Sequence, residues 1–458
     1  MAKGGVILGD WTHRRGDAGG TRAVSADVAD AKPEIAWSWR PEHGGRVDQV
    51  RIAGTCVYVA TMAPVDEGAP GWEHATIYAL DVDTGKVLAK RALPDPVPVA
   101  AMVAQAGVVH VLATRKGEPI FWYAFEAPDL TPRHRRLVEL DRDGRREDVL
   151  DAWASPDGGV WLELEGALGA TGGRAYAYVG AEESFAVAQT HRDDVAAAEW
   201  GAPSRDACCA GRDLFAPLVG TWHESDAEGD ATPRALASEP PAIWALEPRA
   251  TTPRGSASKA LAPPATATWA RADVVGPRAR LHAIFAEGAV CAVAVAADAE
   301  RAERTVVQAL VIDRATATVR HKSEPTRVSL RAPLGDLARV ARRSNGELLL
   351  QTLDADGAPS SDLVCARVDG AIDVVSLGSA RLVLDATLGD VVLAHDERKN
   401  GRVLLSAIAI DRAGRLLGRR SATRWSLETD DLGGATTVYA GAGHVVVRGA
   451  KCIVGVRV

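Results

Sequence analysis

The chain lacks most of the features that would place it in a narrow class. No apolar run approaches the roughly 18 residues that cross a bilayer as a helix, so no transmembrane helix is expected in its 458 residues. The opening stretch MAKGGVILGDW holds one lysine, then only Val6, Ile7 and Leu8 as apolar content. A secretory signal needs an apolar core of about 7–15 residues, so a cytoplasmic location is the expectation. There is no basic surplus: 60 acids against 53 bases leave a net charge of −7, which argues against a nucleic-acid or anionic-membrane partner. The six cysteines include no CxxC, which excludes the common zinc and redox spacings. Cys56, Cys291, Cys365 and Cys452 each fall in an apolar, strand-like run, where a reduced thiol acts as a small hydrophobe. Asparagine is nearly missing, with only Asn345 and Asn400, and no GxSxG elbow is present.

What is present is ordinary globular composition, 47% hydrophobic and 25% charged, arranged as a repeat. An apolar strand end, an Asp, a turn and a second apolar run recur as YALDVDTGKVL (78–88), VELDRDGRRE (138–147), LVIDRATATV (310–319), ARVDGAIDVV (366–375) and AIDRAGRLLG (409–418). Each reads as a hairpin whose Asp bonds its own backbone. Ahead of most of them lies another pair of short apolar runs, such as VDQVRIAG-TCVYVAT (47–61) and VAAMVAQAG-VVHVLAT (99–114). The alternation has period two, as half-buried strands require. The unit is therefore four short strands over about 45–50 residues, the length of a propeller blade.

Unit starts fall near Val47, Val97, Asp148, Val195, Arg280, Asp336, Arg381 and Ala435. The fold expected is all-β, one propeller domain over 1–458, most simply of eight four-stranded blades, with seven the alternative count. The last unit supplies three strands and stops. PEIAWSWRP (33–41) is the available fourth, and pairing it with the C-terminal blade covers an otherwise open edge. Residues 1–32 read as an entry segment. Ten of the 24 prolines lie between Trp200 and Pro277, so 201–279 reads as a long Pro-rich insertion in the fourth blade. The Ala-rich stretch 289–310 is read as strands divided by a turn, with helix at 298–304 as the competing reading.

The motif Ala79-x-Asp81-x-x-Thr84-Gly85-Lys86-Val87-Leu88, with the entry stretch GDWTHRRGDAGGT (9–21), resembles the PQQ-type (quinoprotein-like) eight-bladed propeller superfamily. The resemblance covers most of the chain as architecture and about 30 residues closely. It implies a Trp after the signature that docks on the neighbouring blade. Here that position is Ala89, and the later repeats lack it as well. It also gives the adjacent Cys208 and Cys209 a meaning, since quinoprotein dehydrogenases carry a vicinal pair at the quinone. The Ca²⁺ ligand set and the catalytic Asp cannot be placed in this sequence.

The candidate site residues follow from this. Cys208 and Cys209 are the cofactor-binding candidates on the dehydrogenase reading. A zinc reading would add His191, Asp206 and His223 to them. His110, His282 and His395 lie in strand-like runs and read as satisfied sheet or pore residues. Trp37, Trp39, Trp122, Trp153 and Trp161 read as packing between blades. Trp200, Trp222, His223 and Trp244, in or beside loops, are the partner-binding candidates, because exposed Trp near Arg is the composition of a binding hot spot. Arg outnumbers Lys by 44 to 9, yet no stacking aromatics interleave with the basic runs. The functional expectation is a non-catalytic scaffold that presents loops to a protein partner, by analogy within a bacterial multi-protein system. A PQQ/Ca²⁺-dependent dehydrogenase and a small-ligand or glycan-binding propeller are the alternatives. No cofactor and no metal are assigned, and the oligomeric state is open.

Overall fold

The computed structural model describes residues 6–8, 13, 22–27, 32–64, 73–115, 118–138, 148–156, 158–165, 174–180, 185–190, 208–210, 213–218, 242–246, 268–274 and most of 280–458. Apart from one 3-10 turn at Glu42–Gly44, the regular structure among these residues is all strand. No helix among them is long and apolar enough to cross a membrane.

Among the described residues eight separate sheets form, each with four antiparallel strands that are consecutive in sequence except in the last. Blade 1 runs through Arg46–Ala53, Cys56–Pro64, Glu73–Asp81 and Val87–Ala92. Blade 2 uses Val99–Gln105, Val108–Ala113, Ile120–Glu126 and Thr131–Val138. Blade 3 spans Asp148–Ala154 to Phe185–Thr190. Blade 5 spans Arg280–Ala286 to Val319–Lys322, with Thr326–Ser329 as an added edge. Blade 6 runs from Ala338–Arg342 to Ile372–Ser376, and blade 7 from Val383–Leu388 to Arg420–Glu428. Blade 8 takes Thr437–Gly441, His444–Arg448 and Ile453–Arg457 from the C-terminus. Its fourth strand is Glu34–Trp39, antiparallel to Ile453–Arg457 with Glu34 opposite Arg457 and Trp39 opposite Ile453. The expected return of the chain to its own beginning is therefore present.

The first strands of blades 1 and 2, 2 and 3, 4 and 5, 6 and 7, 7 and 8, and 8 and 1 lie against one another, which places them around the axis. Apolar clusters fill the seams. One joins blades 1 and 2, another 2 and 3, others 4 to 5, 5 to 6 and 6 to 7, and the largest spans blades 7, 8 and 1. Strands buried on both faces read as near-continuous apolar runs, which explains AVCAVAVAA as the wholly sheet-like Ala289–Ala297. β-Branched valines and flanking partners decide that stretch against its alanines. The two strands Ala289–Ala297 and Arg304–Asp313 flank the segment for which helix was the competing reading.

Two boundaries change. The segment 201–279, read as an insertion, holds the described strands of blade 4, Cys208–Ala210, Asp213–Leu218, Ala242–Leu246 and Thr268–Arg271, while the expected start near Val195 lies outside the described residues. The prolines sit mostly between these short strands and hide their pattern. The entry segment is also not merely a lead-in. Ala23–Asp27 pairs in parallel with Val383–Leu388, and Val6–Leu8 pairs antiparallel with it, so blade 7 becomes six-stranded on its axial side.

Candidate functional site at the propeller axis and blade seams

The outer strands share one device. In blade 8 a bulge falls at Ala36, between Ile35 and Trp37. An equivalent bulge precedes Ala89 in blade 1, His134 in blade 2, His321 in blade 5 and Trp425 in blade 7. A bulge re-aims the side chain that follows it. In blade 8 that side chain is Trp37, which crosses the seam to blade 1. Its Nε1 donates to the Val82 carbonyl at 2.7 Å. Its ring lies over Gly85, where a Cβ would stand 2.7 Å from the indole, and over Gly455, where a Cβ would fall inside it. Gly85 also holds φ +67°, a conformation glycine adopts without strain. The signature supplies this seat: Asp81 Oδ1 accepts from Thr84 N (2.8 Å) and Thr84 Oγ1 (2.6 Å). Those bonds hold the Asp81 carboxyl below its ordinary pKa. The docking Trp absent at Ala89 is thus supplied by Trp37. Trp425 stands at the same position of blade 7, buried in the cluster shared with blade 8. One later repeat therefore does carry this Trp, contrary to expectation, because a long connection (412–419) separates Trp425 from its signature.

At the blade 1–2 seam the arrangement is inverted. Ala89 takes the Trp37 place, and the residue aligned with Gly85 is Leu130, fully buried at φ +55°. The bulk has moved from one blade to the other.

At the axis, blades 6 and 7 meet through a buried polar network. Asp385 occupies a bulge in the innermost strand of blade 7. Its Oδ2 meets His395 Nδ1 at 2.6 Å, and its Oδ1 accepts from Arg339 Nη1 at 3.2 Å. Gln351 joins the same seam, donating to Leu382 O (2.6 Å) and accepting from Leu384 N (2.7 Å). A buried carboxylate with both oxygens bonded is a satisfied charge that fixes an imidazole in place. It is also the orienting half of a general-base arrangement. Among the described residues no hydroxyl or thiol is bonded to His395, so the nucleophilic half is not assembled. His395 is a satisfied pore residue, as its sequence context implies.

His110 is satisfied in another way. Its Nδ1 accepts from Trp122 Nε1 at 3.2 Å, and His134 stacks edge-on against the same indole at 4.6 Å. Burial, then the positive charges of His134 and Arg133, push the His110 pKa down to about 4. The unfolded chain therefore takes up a proton first as pH falls. This contribution to stability is complete above about pH 6.5 and is lost as pH drops toward 4, by up to roughly 3 kcal/mol. Urea titrations at pH 7 and pH 4.5 are expected to show that loss, and His110→Gln to flatten the difference. An unchanged pH slope in the variant would contradict the assignment.

The candidates from sequence are scattered. Trp200, Trp222 and His223 lie outside the described residues, as do His191 and Asp206. Trp244 is not in a loop: it belongs to the third strand of blade 4, paired with Ala216 and Thr268. Cys208 and Cys209 form part of the innermost strand of that blade, opposite Phe215 and Leu214. Among the described residues no three His, Cys, Asp or Glu side chains converge as a metal site. Trp37, Trp122, Trp153 and Trp161 are buried, as expected of residues packing between blades. The basic run Arg133–Arg136 is spent locally, with Arg135 bidentate on Asp95 at 2.8 and 2.7 Å. Sequence reasoning missed the Arg339–Asp385–His395 network. Its signal was an Asp inside the apolar strand run LVLDATL. It also missed the axial role of residues 6–27, signalled only by the short alternation AVSAD.

No family model matches the chain, and no curated protein matches it. Solved structures do. A europium-containing methanol dehydrogenase is 14% identical, with 98% of this chain and 90% of that one covered at a TM-score of 0.50. The quinohemoprotein alcohol dehydrogenase from Comamonas testosteroni is 13% identical, with 98% and 80% covered at a TM-score of 0.53. The fold is a β-propeller similar to those of these two dehydrogenases. At these identities the likeness concerns the fold, and function has to be argued from the site. A planar quinone with its calcium needs room on the axis and six to eight oxygen ligands. In this propeller the axial side of blade 7 carries the chain's own strands, and the described carboxylates do not group. The described residues do not fit such a cofactor.

Proposed function

We propose that this protein is a non-catalytic propeller that presents its loops to a protein partner, as a cytoplasmic component of a multi-protein assembly. The observation that carries the reading is at the axis. Propellers offer a central channel for ligands, and here that channel takes in residues 6–8, 13 and 22–27 of the same chain. Recognition then falls to the loops, which a rigid ring holds in place. The connection 219–241 favours one of them. It joins two strands whose ends, Leu218 and Ala242, face each other in register, so a turn of two residues could close the same hairpin. A loop longer than about 12–15 residues in such a place is commonly functional. This one contains Trp222 and His223, the candidate anchors.

The test replaces residues 219–241 by a short Asn-Gly turn. The propeller is expected to keep its melting temperature and circular dichroism, and to lose co-purification of its partner from the native cell. Undiminished partner recovery would overturn the reading. So would dye-linked alcohol oxidation by the full chain on addition of PQQ and Ca²⁺.

A further inference from the structure

We propose that the axial channel is a binding site for extended peptide strands, and that its resident occupants are the chain's own residues 6–8, 13 and 22–27. The innermost strand of a blade has one edge that no neighbour within the blade pairs. In blade 7 that edge is used. Thr387 N donates to the Arg22 carbonyl at 2.8 Å, and Gly389 N donates to the Val24 carbonyl at 3.0 Å. Ala23 stands opposite Thr387, and Val24 opposite Leu388, in parallel register. Side chains add to the backbone bonds. Val24 is buried in the cluster that holds Ala386, Leu388, Val438 and Tyr439, and Arg22 Nη1 donates to the Asp385 carbonyl at 3.5 Å. Val6–Leu8 then pairs with Ser25–Asp27 and lies beside Thr437–Gly441, the innermost strand of blade 8.

The second anchor is on the opposite wall. His13 is 2% exposed, and its Nε2 accepts from the Ala154 amide of blade 3 at 3.2 Å. Blades 3 and 7 are four steps apart in a ring of eight, so they face each other across the axis.

The chemistry of the site defines its ligand class. Blade 7 offers amide donors spaced two residues apart along a strand, with an apolar seat between them. That is the pattern of strand addition, in which main-chain bonds give affinity and alternate side chains give selectivity. It suits a peptide in extended form. The inference uses no residue of 219–241, so it stands or falls separately from the loop reading.

A chain of residues 34–458 tests it. This chain keeps the closing strand Glu34–Trp39 and all four strands of every blade, since the segment adds only to a blade that is already complete. Hydrogen exchange at the Thr387, Gly389 and Ala154 amides is expected to speed up together, by about tenfold or more, while Ile453–Arg457 stays protected. A fluorescent peptide of residues 1–32 is expected to bind the 34–458 chain at one to one and not to bind the full chain. Unchanged protection at either wall, or equal peptide binding to both chains, would overturn the proposal. If the shortened chain fails to fold, the full chain with Val24→Cys and Leu388→Cys serves instead. Register partners in neighbouring strands lie within disulfide reach. An intrachain 24–388 disulfide on oxidation supports the placement, and its absence overturns it.

Discussion

Trp37→Ala is expected to lower the unfolding free energy by roughly 3–5 kcal/mol, the range for truncating a buried aromatic. Three losses add at this one residue. The indole leaves the groove between Gly85 and Gly455. The Nε1–Val82 bond disappears and leaves a carbonyl at the seam without its donor. The strand that closes the ring also loses its anchor to blade 1, since Trp37 belongs to blade 8 and its partner Val82 does not. Trp37→Phe keeps a ring over the glycines and loses only the bond, so it is expected to cost less than half as much. Urea midpoints of the two variants and the wild type check this order. A Trp37→Ala loss below about 0.5 kcal/mol, within the range of ordinary surface substitutions, would show that the latch is incidental.

The inverted seam gives the second large effect. Ala89→Trp alone is expected to destabilise by about 1–3 kcal/mol, because an indole entering from blade 1 meets the buried Leu130. Leu130→Gly alone removes a buried leucine, a loss of about 2–5 kcal/mol for such truncations. About 1 kcal/mol of that is offset where the left-handed conformation no longer carries a Cβ. Together the two changes rebuild the pairing of Trp37 with Gly85 at a new seam, with Ala79 opposite residue 89 as Ala407 stands opposite Trp425. The double variant is therefore expected to be more stable than the sum of the singles by at least about 1–2 kcal/mol. Losses that simply add would mean that the registers of blades 1 and 8 are not equivalent.

Both predictions depend on register, and register marks the limit of what the sequence discloses. The hairpins around Asp81, Asp313 and Gly370 were legible because turn chemistry is local: an Asp, a Thr or Gly two to four residues on, and apolar runs either side. The closing strand was legible because a three-stranded last unit needs a partner and PEIAWSWRP has strand composition. Bulges leave no such mark. One residue inserted before Trp37 or Trp425 moves the side chain across the seam, and nothing in WSWR or TRWS announces it. Blade 4 was obscured for a different reason. Its strands are as short as Cys208–Ala210, below the length at which period two can be recognised. The axial strands were invisible in principle, because pairing between residues near 23 and near 387 is set by the shape of the finished ring. The Asp385–His395 pair was half visible. A charge in an apolar strand signals a bonded partner, but only the fold names Arg339 as the third member.

The claim on which all of this rests is that the chain closes on itself between its first regular blade strand and its last. Glu34 and Arg457 are exposed register partners at that junction, bridged by an ion pair at 3.4 Å. Replacing both by cysteine and oxidising the folded protein measures the closure directly. The account predicts a near-quantitative intrachain 34–457 disulfide, seen as faster migration on a non-reducing gel and as a raised melting temperature. Free thiols at both positions after oxidation, or cross-links only between chains, would contradict it.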